Sequence, residues 1–213
     1  MKERLFAAAG ALLLAACSLT GCGESAKQEE NITSDQMPYG STVSEDTSRS
    51  MTISYDKRFV EDALVEKIYT YYHAIESKDG EALGSVMFPL YHAYQLEELY
   101  GGEVDDQALA DSTYDAIKDY FGYDFDYSYI EITDMVSKLG ESAGRDALVL
   151  QLDQLAAEKG EKPVSDDTQR LCELSLTRHV DKKGSGNKTE TPDVLTGETL
   201  YAIQYQNEWY LMY

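Results

Sequence analysis

Residues 199–213 read TLYAIQYQNEWYLMY, with two runs of aromatic and aliphatic residues on either side of Gln206 and Asn207. Tyr, Trp and Ile favour strands, whereas a polar pair that contains Asn favours a tight turn. We therefore predict two strands, over residues 199–205 and 208–213, joined by a turn at Gln206–Asn207. This hairpin indicates a sheet in the C-terminal half of the chain.

A third strand is predicted over residues 171–181, where apolar and polar side chains alternate. A period of two is typical of a strand with one buried face. The residues on that apolar face are Cys172, Leu174, Leu176 and Val180. Residues 127–133 alternate in a similar way and predict a further strand. The polar, glycine-containing residues 182–197 predict a long hairpin loop.

Helical periodicity begins earlier in the chain. Five apolar residues follow one another at steps of four, four, three and four, which places them on one stripe of an amphipathic helix. They are Val60, Leu64, Ile68, Tyr71 and Ile75. Asp79–Gly80 ends this helix, and Asp79 is a candidate N-cap for a second helix that Pro89 ends.

Three more helices are predicted from the same spacing. One covers residues 90–100, and another opens at Asp105 or Asp106 and ends before Gly122, with acidic residues in its first turn as the helix dipole favours. The residues expected to point inward from that helix are Leu109, Thr113, Ile117 and Tyr120. The last helix covers residues 145–159 and lies between two predicted strands.

Helices followed by a meandering antiparallel sheet predict an α+β domain. Residues 68–89 and 200–211 resemble the cone-shaped α+β domain of the nuclear transport factor two-like superfamily. The sequence Asn207-Glu208-Trp209-Tyr210-Leu211 stands where such proteins usually have Gly-Lys-Trp-Tyr-Leu. The resemblance implies N-terminal helices packed on a curved antiparallel sheet of the cystatin-like type. The helix at 145–159 and the loop at 182–197 depart from the simplest form of that fold.

The N-terminus carries the features of an export signal. Lys2 and Arg4 precede an uncharged run of Leu and Ala over residues 5–16, which has the length of a signal-peptide core and is short for a membrane span. A single transmembrane anchor is the alternative. Residues 14–17 (LAAC) and 19–22 (LTGC) both resemble the lipobox of bacterial lipoprotein precursors. That resemblance implies cleavage before the cysteine and lipidation of its thiol; we favour Cys22 over Cys17, which would leave an unusually short signal.

These features divide the chain into three parts. Residues 1–21 are a predicted lipoprotein signal peptide. Residues 22–56 are a predicted lipidated cysteine followed by a flexible polar tether, because isolated apolar residues there do not offset the entropy of ordering the chain. Residues 57–213 are a predicted single α+β domain.

Charge and cysteine content narrow the possible partners. The chain has 39 acidic and 18 basic residues and a net charge of −21. Nucleic acids and anionic lipid surfaces are bound through basic patches, so we expect no nucleic-acid partner. Beyond Cys22 only Cys172 remains, which leaves no internal disulfide between two domain cysteines, and we expect Cys172 to be a buried core residue.

No residue pattern predicts a catalytic centre. His73, His92 and His179 lack partners at any spacing that identifies a reaction, and no metal or cofactor motif is present. Members of the resembled superfamily use a pocket between the sheet and the first helices. The resemblance therefore makes four aromatic residues the expected lining of such a pocket, with packing of the core as the alternative role: Tyr71, Tyr72, Tyr201 and Trp209.

The expected function follows from these features. The chain is predicted to be a lipoprotein at the extracytoplasmic face of the cell membrane, held by its N-terminal lipid. Its domain is expected to be non-catalytic and to bind a small ligand or an envelope protein. Two alternatives remain open: a small pocket enzyme of hydrolase, isomerase or dehydratase type, and an accessory subunit of a cell-envelope complex.

Overall fold

The computed structural model describes residues 37–139, 147–184 and 192–213, which all belong to one compact unit. The predicted signal peptide, both lipobox cysteines and the start of the predicted tether lie outside the described residues. Among the residues that are described, none of the helices has the length and apolarity to cross a bilayer.

Helices and strands alternate in blocks along the chain. The strands are β1 (Val43–Asp46), β2 (Thr52–Asp56), β3 (Phe125–Ser137), β4 (Thr168–Lys182), β5 (Asp193–Tyr205) and β6 (Glu208–Met212). The helices are α1 (Asp62–Ser77), α2 (Gly80–Val86), α3 (Pro89–Tyr94), α4 (Asp106–Phe121), α5 (Ala147–Glu158) and α6 (Val164–Asp167). A π-helical segment, Gln95–Leu99, extends α3. The predicted α+β class is confirmed.

The six strands form one open sheet in the order β1-β2-β3-β4-β5-β6. Only the β2–β3 pair is parallel among these neighbours, because α1 to α4 connect the two strands and return the chain to the same end of the sheet. Strands β3 to β6 form the expected antiparallel meander. The two-residue turn between β5 and β6 places Gln206 and Asn207 at φ 52° and 67°, as a tight hairpin requires.

The predicted boundary between tether and domain is wrong. Residues 43–46 and 52–56, assigned to the tether, form β1 and β2, so two strands precede the helices. Met51 and Ile53 are fully buried, but Ser54 and Asp56 are buried as well. Asp56 accepts hydrogen bonds from the backbone N–H of Gly40 (3.0 Å) and from Arg58 Nε (2.8 Å). These buried polar residues give β2 a composition that resembles a tether, so the sequence pattern did not indicate a strand there.

Helix α1 has the predicted apolar stripe, since Leu64, Ile68, Tyr71 and Ile75 are all buried. Asp79 caps α2 as expected, with its Oδ1 accepting from Ala82 N at 3.0 Å. In α4 the prediction for Tyr120 is wrong: its side chain is 76 % exposed, and Tyr114 is buried instead. Ala110 is buried as well, so the buried face of α4 is turned away from Tyr120.

Gly80 and Gly84 of α2 allow an unusually close approach of α2 and α4. A Cβ atom at Gly80 would lie 2.5 Å from Gln107 Cα, and one at Gly84 would lie 2.1 Å from Asp106 Oδ2. Real Cβ atoms do not approach other atoms so closely. At Gly80 only glycine therefore fits without moving the backbone of α4, whereas a Cβ at Gly84 would displace the Asp106 carboxylate that contacts His92.

Side chains on both faces of the sheet are buried. The inner face, which carries Cys172, Leu174 and Trp209, packs against α1, α2 and α4 in the larger core. The outer face, which carries Leu171, Ile203 and Met212, packs against α5 and α6 in a smaller core. Cys172 is buried with a free thiol, as expected, and burial raises its pKa.

The chain between α2 and α3 joins the two faces at the β6 edge. Met87 forms a parallel bridge with Leu211, and Phe88 N donates to Leu211 O at 2.9 Å. The prediction that Pro89 ends a helix is wrong, because Pro89 begins α3. Phe88 is thereby placed in the smaller core of the outer face.

Candidate functional site

The four aromatic residues predicted to line a pocket are divided between the two faces. Tyr72 and Trp209 lie in the larger core with exposed fractions of 0 % and 2 %, and Tyr71 is buried beside them. Tyr201 projects from the outer face and packs, half-buried, against the smaller core. The structure therefore brings Tyr71, Tyr72 and Trp209 into one core but does not bring Tyr201 to them.

The buried aromatics of the inner face are held by polar contacts at their tips. Tyr72 Oη donates to Glu198 Oε2 at 2.7 Å, and Trp209 Nε1 donates to Glu61 Oε2 at 3.1 Å. The rings of Tyr71 and Tyr72 meet edge to face at 5.1 Å. Burial, and then the negative charge of Glu198, raises the pKa of Tyr72 well above its ordinary value. These contacts fix the rings as packing elements of the core.

A polar cluster lies at one end of this core. Arg178 Nε stands 2.6 Å from Glu198 Oε2, the same oxygen that accepts from Tyr72. The hydroxyl of Tyr127 is buried nearby; burial raises the pKa of Tyr127, while the charge of Arg178 and a hydrogen bond with it oppose the rise. Glu76 accepts from Tyr127 N at 3.1 Å, and burial raises the pKa of Glu76. The cluster has the residue types of an acid–base site.

A cleft of about 330 Å³ opens on the outer face instead. It lies between the start of α3, the turn after α5 and the β5–β6 hairpin. Its lining, which we call the aromatic cleft, consists of Phe88, Pro89, Leu90, Lys159, Glu161, Val164, Tyr205, Gln206 and Tyr210. Phe88 and Val164 are buried and form its floor, whereas Lys159, Glu161 and Gln206 are exposed at its mouth.

Three rings give the aromatic cleft its shape. Phe88 contacts Tyr205 at a centroid distance of 5.4 Å and Tyr210 at 5.7 Å. The planes of these two pairs are inclined at 68° and 61°, so the rings form a corner rather than a stack. Tyr205 and Tyr210 project from neighbouring strands of the outer face, where the register pairs Ile203 with Tyr210.

The mouth of the aromatic cleft is set by hydrogen bonds. Gln206 N and Nε2 both donate to Asp167, to its backbone oxygen and to Oδ2, at 3.1 Å each. Tyr210 Oη donates to Glu208 at 3.0 Å. Burial raises the pKa of Tyr205, and the negative charges of Asp167 and Glu161 raise it further. Both tyrosine hydroxyls therefore stay neutral near pH 7, and each has a carboxylate nearby.

The three histidines lie apart. His92 Nε2 is 2.6 Å from Asp106 Oδ1, while its buried Nδ1 has no partner among the described residues. His73 stacks on Tyr69, and His179 meets the edge of Tyr129. Within the part of the chain that the structure describes, no three His, Cys, Asp or Glu side chains are grouped as metal ligands.

Sequence reasoning missed the aromatic cleft, although one signal pointed to it. The odd-numbered residues of β5, Tyr201, Ile203 and Tyr205, share its outer face. The core residues Leu200 and Ala202 lie on the inner face. A strand with apolar side chains on both faces needs a cover on each, and the amphipathic helix at 145–159 was available to provide one. The sequence does not show how far this helix extends along the strands, and so it does not show which strand ends stay uncovered.

Comparison of the chain with protein-family models, with curated proteins and with solved structures gives no significant match. What the domain can bind therefore has to follow from the geometry and chemistry of the site itself.

Proposed function

We propose that this protein is a lipid-anchored lipoprotein of the extracytoplasmic membrane face whose α+β domain is a non-catalytic binding module. The observation that carries the binding role is the aromatic cleft. Its volume, about 330 Å³, is at the small end of the range of about 300–1,000 Å³ that is usual for ligand sites. Its apolar floor and its few polar groups at the mouth are typical of a pocket that binds and orients a small molecule.

Anchoring at the membrane rests on the leader and its two lipoboxes. Labelled fatty acid should be incorporated into the expressed precursor, and Cys22→Ala should abolish most of the incorporation while the matched Cys17→Ala should not. Loss of labelling with Cys17→Ala alone would move the lipid to Cys17. Labelling that survives both changes would contradict the lipoprotein assignment.

We also propose that the domain has the cone architecture of the nuclear transport factor two-like superfamily. Helices on one face of an antiparallel meander and the closing Asn207–Leu211 segment support it. The strands β1 and β2 ahead of α1, and α5 on the opposite face, differ from the simplest form. An experimental structure in which the sheet does not curve around α1 would exclude the assignment.

A screen of small molecules by thermal shift tests the binding role. A ligand that binds the native state raises the melting temperature with its concentration and affinity. The shift should disappear in Tyr205→Ala and persist in Tyr120→Ala, which changes an exposed tyrosine far from the aromatic cleft in the sequence. Shifts that are equal in both variants would exclude the aromatic cleft as the binding site.

A pocket enzyme is the second candidate function, favoured by the polar cluster on the inner face. A carboxyl group with a raised pKa near a buried tyrosine hydroxyl that contacts an arginine is a combination that active sites use. Turnover of a screened substrate that is lost in Glu76→Gln, with the fold intact, would establish this function. Activity that is unchanged in Glu76→Gln and Tyr127→Phe would exclude this cluster.

A further inference from the structure

We propose that the aromatic cleft takes a small organic ammonium ion, quaternary or primary, with its charged group seated against the rings of Phe88, Tyr205 and Tyr210. This inference rests on the proposed binding function and adds the chemical class of the ligand. It is carried by the ring geometry and by the placement of carboxylates around the mouth.

The rings of the aromatic cleft lie close enough together to offer a cation more than one aromatic contact. A cation is attracted to the face of an aromatic ring when it lies within about 6 Å of the ring centroid. Phe88 lies at centroid distances of 5.4 Å from Tyr205 and 5.7 Å from Tyr210, and all three residues line the same cleft, so a cation seated there would lie beside more than one ring. Tyr210 already takes part in one such contact, with Lys67 Nζ 5.3 Å from its ring centroid.

The charges around the aromatic cleft favour a cation over an anion. Glu161 lines the mouth, and Asp167 holds Gln206 in place there. Burial raises the pKa of the Tyr205 hydroxyl, and the negative charges of Asp167 and Glu161 raise it further. Lys159 is the one cation of the lining, and its exposed, flexible side chain can turn towards solvent. The net charge of the chain, −21, adds a general attraction for cations.

A pair of probes that differ only in charge tests the inference. Choline and its carbon isostere 3,3-dimethylbutan-1-ol have the same shape, so any difference in affinity reports recognition of the charge. Binding of each probe to the full chain is measured by ligand-observed NMR at matched ionic strength. We expect choline to bind about tenfold more tightly than the isostere.

The possible results separate this inference from the proposed function. Equal binding of both probes would overturn ammonium recognition while leaving an apolar binding site in place. Absence of binding by either probe at its highest soluble concentration would overturn the inference, whereas the proposed function would still be decided by the wider screen.

Variants of the lining then locate the site. Tyr205→Leu should remove the preference for choline and leave binding of the isostere nearly unchanged, whereas Tyr205→Phe should keep the preference. A preference that survives Tyr205→Leu would place the ammonium site elsewhere and overturn the inference. If Tyr205→Leu does not fold, the probe pair on the unmodified chain and the charge variants below still decide.

The two charged lining residues should act in opposite directions. Glu161→Gln should weaken choline binding about threefold, and Lys159→Gln should strengthen it about twofold, because each changes the local potential at an exposed position. Lys162→Gln, an exposed neighbour outside the lining, is the matched control and should have a smaller effect. Effects of the opposite sign would contradict the charge argument.

A free ammonium compound and the head group of phosphatidylcholine share this chemistry. Glycerophosphocholine separates the two sources, because it carries the head group without the acyl chains. Binding as tight as that of choline would assign a head group, and loss of binding would assign a free cation; both results support ammonium recognition.

Discussion

At the inner face of the sheet, Tyr72 of the covering helix α1 and Trp209 of β6 are almost fully removed from solvent, and their polar tips are bonded to carboxylates. On the outer face, Tyr205 and Tyr210 stay half-buried beside a cleft of about 330 Å³. The same residue type thus packs a core on one face and lines an open site on the other. The cover makes the difference: α1, α2 and α4 extend along the inner face, whereas α5 and the short α6 leave the end of the β5–β6 hairpin open.

The largest expected difference between the faces is in the response to a cavity. Leu174→Ala on the inner face should lower the free energy of unfolding by about 4 kcal/mol, because its closely packed neighbours cannot collapse into the space. Leu152→Ala, equally buried on the outer face, should cost about 2–3 kcal/mol, since the region beside the cleft can relax. Urea denaturation measures both.

Leu150→Ala is the matched control for these two substitutions. Leu150 lies on α5 with a side chain that is 52 % exposed, so its loss should cost less than about 0.5 kcal/mol. Equal costs for Leu174→Ala and Leu152→Ala would remove the distinction between the faces.

A single added methyl group should destabilise the inner side of the domain. Gly80→Ala should lower the free energy of unfolding by about 2–3 kcal/mol, because the new Cβ would lie 2.5 Å from the backbone of Gln107 in α4. Ser85→Ala on the exposed side of α2 is the control and should stay within about 0.5 kcal/mol. Unchanged stability in Gly80→Ala would show that α2 does not approach the backbone of Gln107 this closely.

The hairpin β1–β2 should depend on pH through Asp56. Hydrogen bonds from Arg58 lower the pKa of Asp56 from 3.8 to about 2. Because the folded pKa is depressed, the stabilisation is present above pH 4 and is lost as the pH falls through about 2. Asp56→Asn should cost about 2 kcal/mol at pH 7, and the gap to the unmodified protein should narrow between pH 4 and 2.

Denaturation curves at several pH values measure this gap. A difference between the two proteins that does not change down to pH 2 would contradict the Asp56–Arg58 contact. A fragment that begins at residue 57 and remains stable after limited proteolysis would contradict the place of β1 and β2 in the sheet.

The smallest effect on stability is expected in the aromatic cleft itself. Leu90→Phe adds volume to open space, so the free energy of unfolding should change by less than about 0.5 kcal/mol, while ligand binding should be reduced at least about fivefold. A loss of more than about 2 kcal/mol would indicate that the space is already packed. Thermal unfolding with and without ligand gives both quantities.

Much of the fold could be predicted from local patterns. The stripe of α1, the alternation of β4 and the turn at Gln206–Asn207 are properties of neighbouring residues, because helix and strand periods decide which side chains share a face. The predictions that failed depended on distant contacts. Tyr120 fits a helical stripe by spacing, yet its side chain is exposed, and Tyr114 is buried instead, where its ring stacks on Phe125 of β3 at 4.8 Å.

The site was less accessible to prediction than the fold. The sequence alone determined the acidic charge and the presence of aromatic strands near the C-terminus. It also predicted the export signal. Only the tertiary structure decided that the buried Asp56 is paired with Arg58, that Tyr72 of α1 and Trp209 of β6 share one core, and that Phe88 contacts both Tyr205 and Tyr210. A residue's period states which face it occupies, but whether that face is covered depends on how far a helix from another part of the chain extends over it.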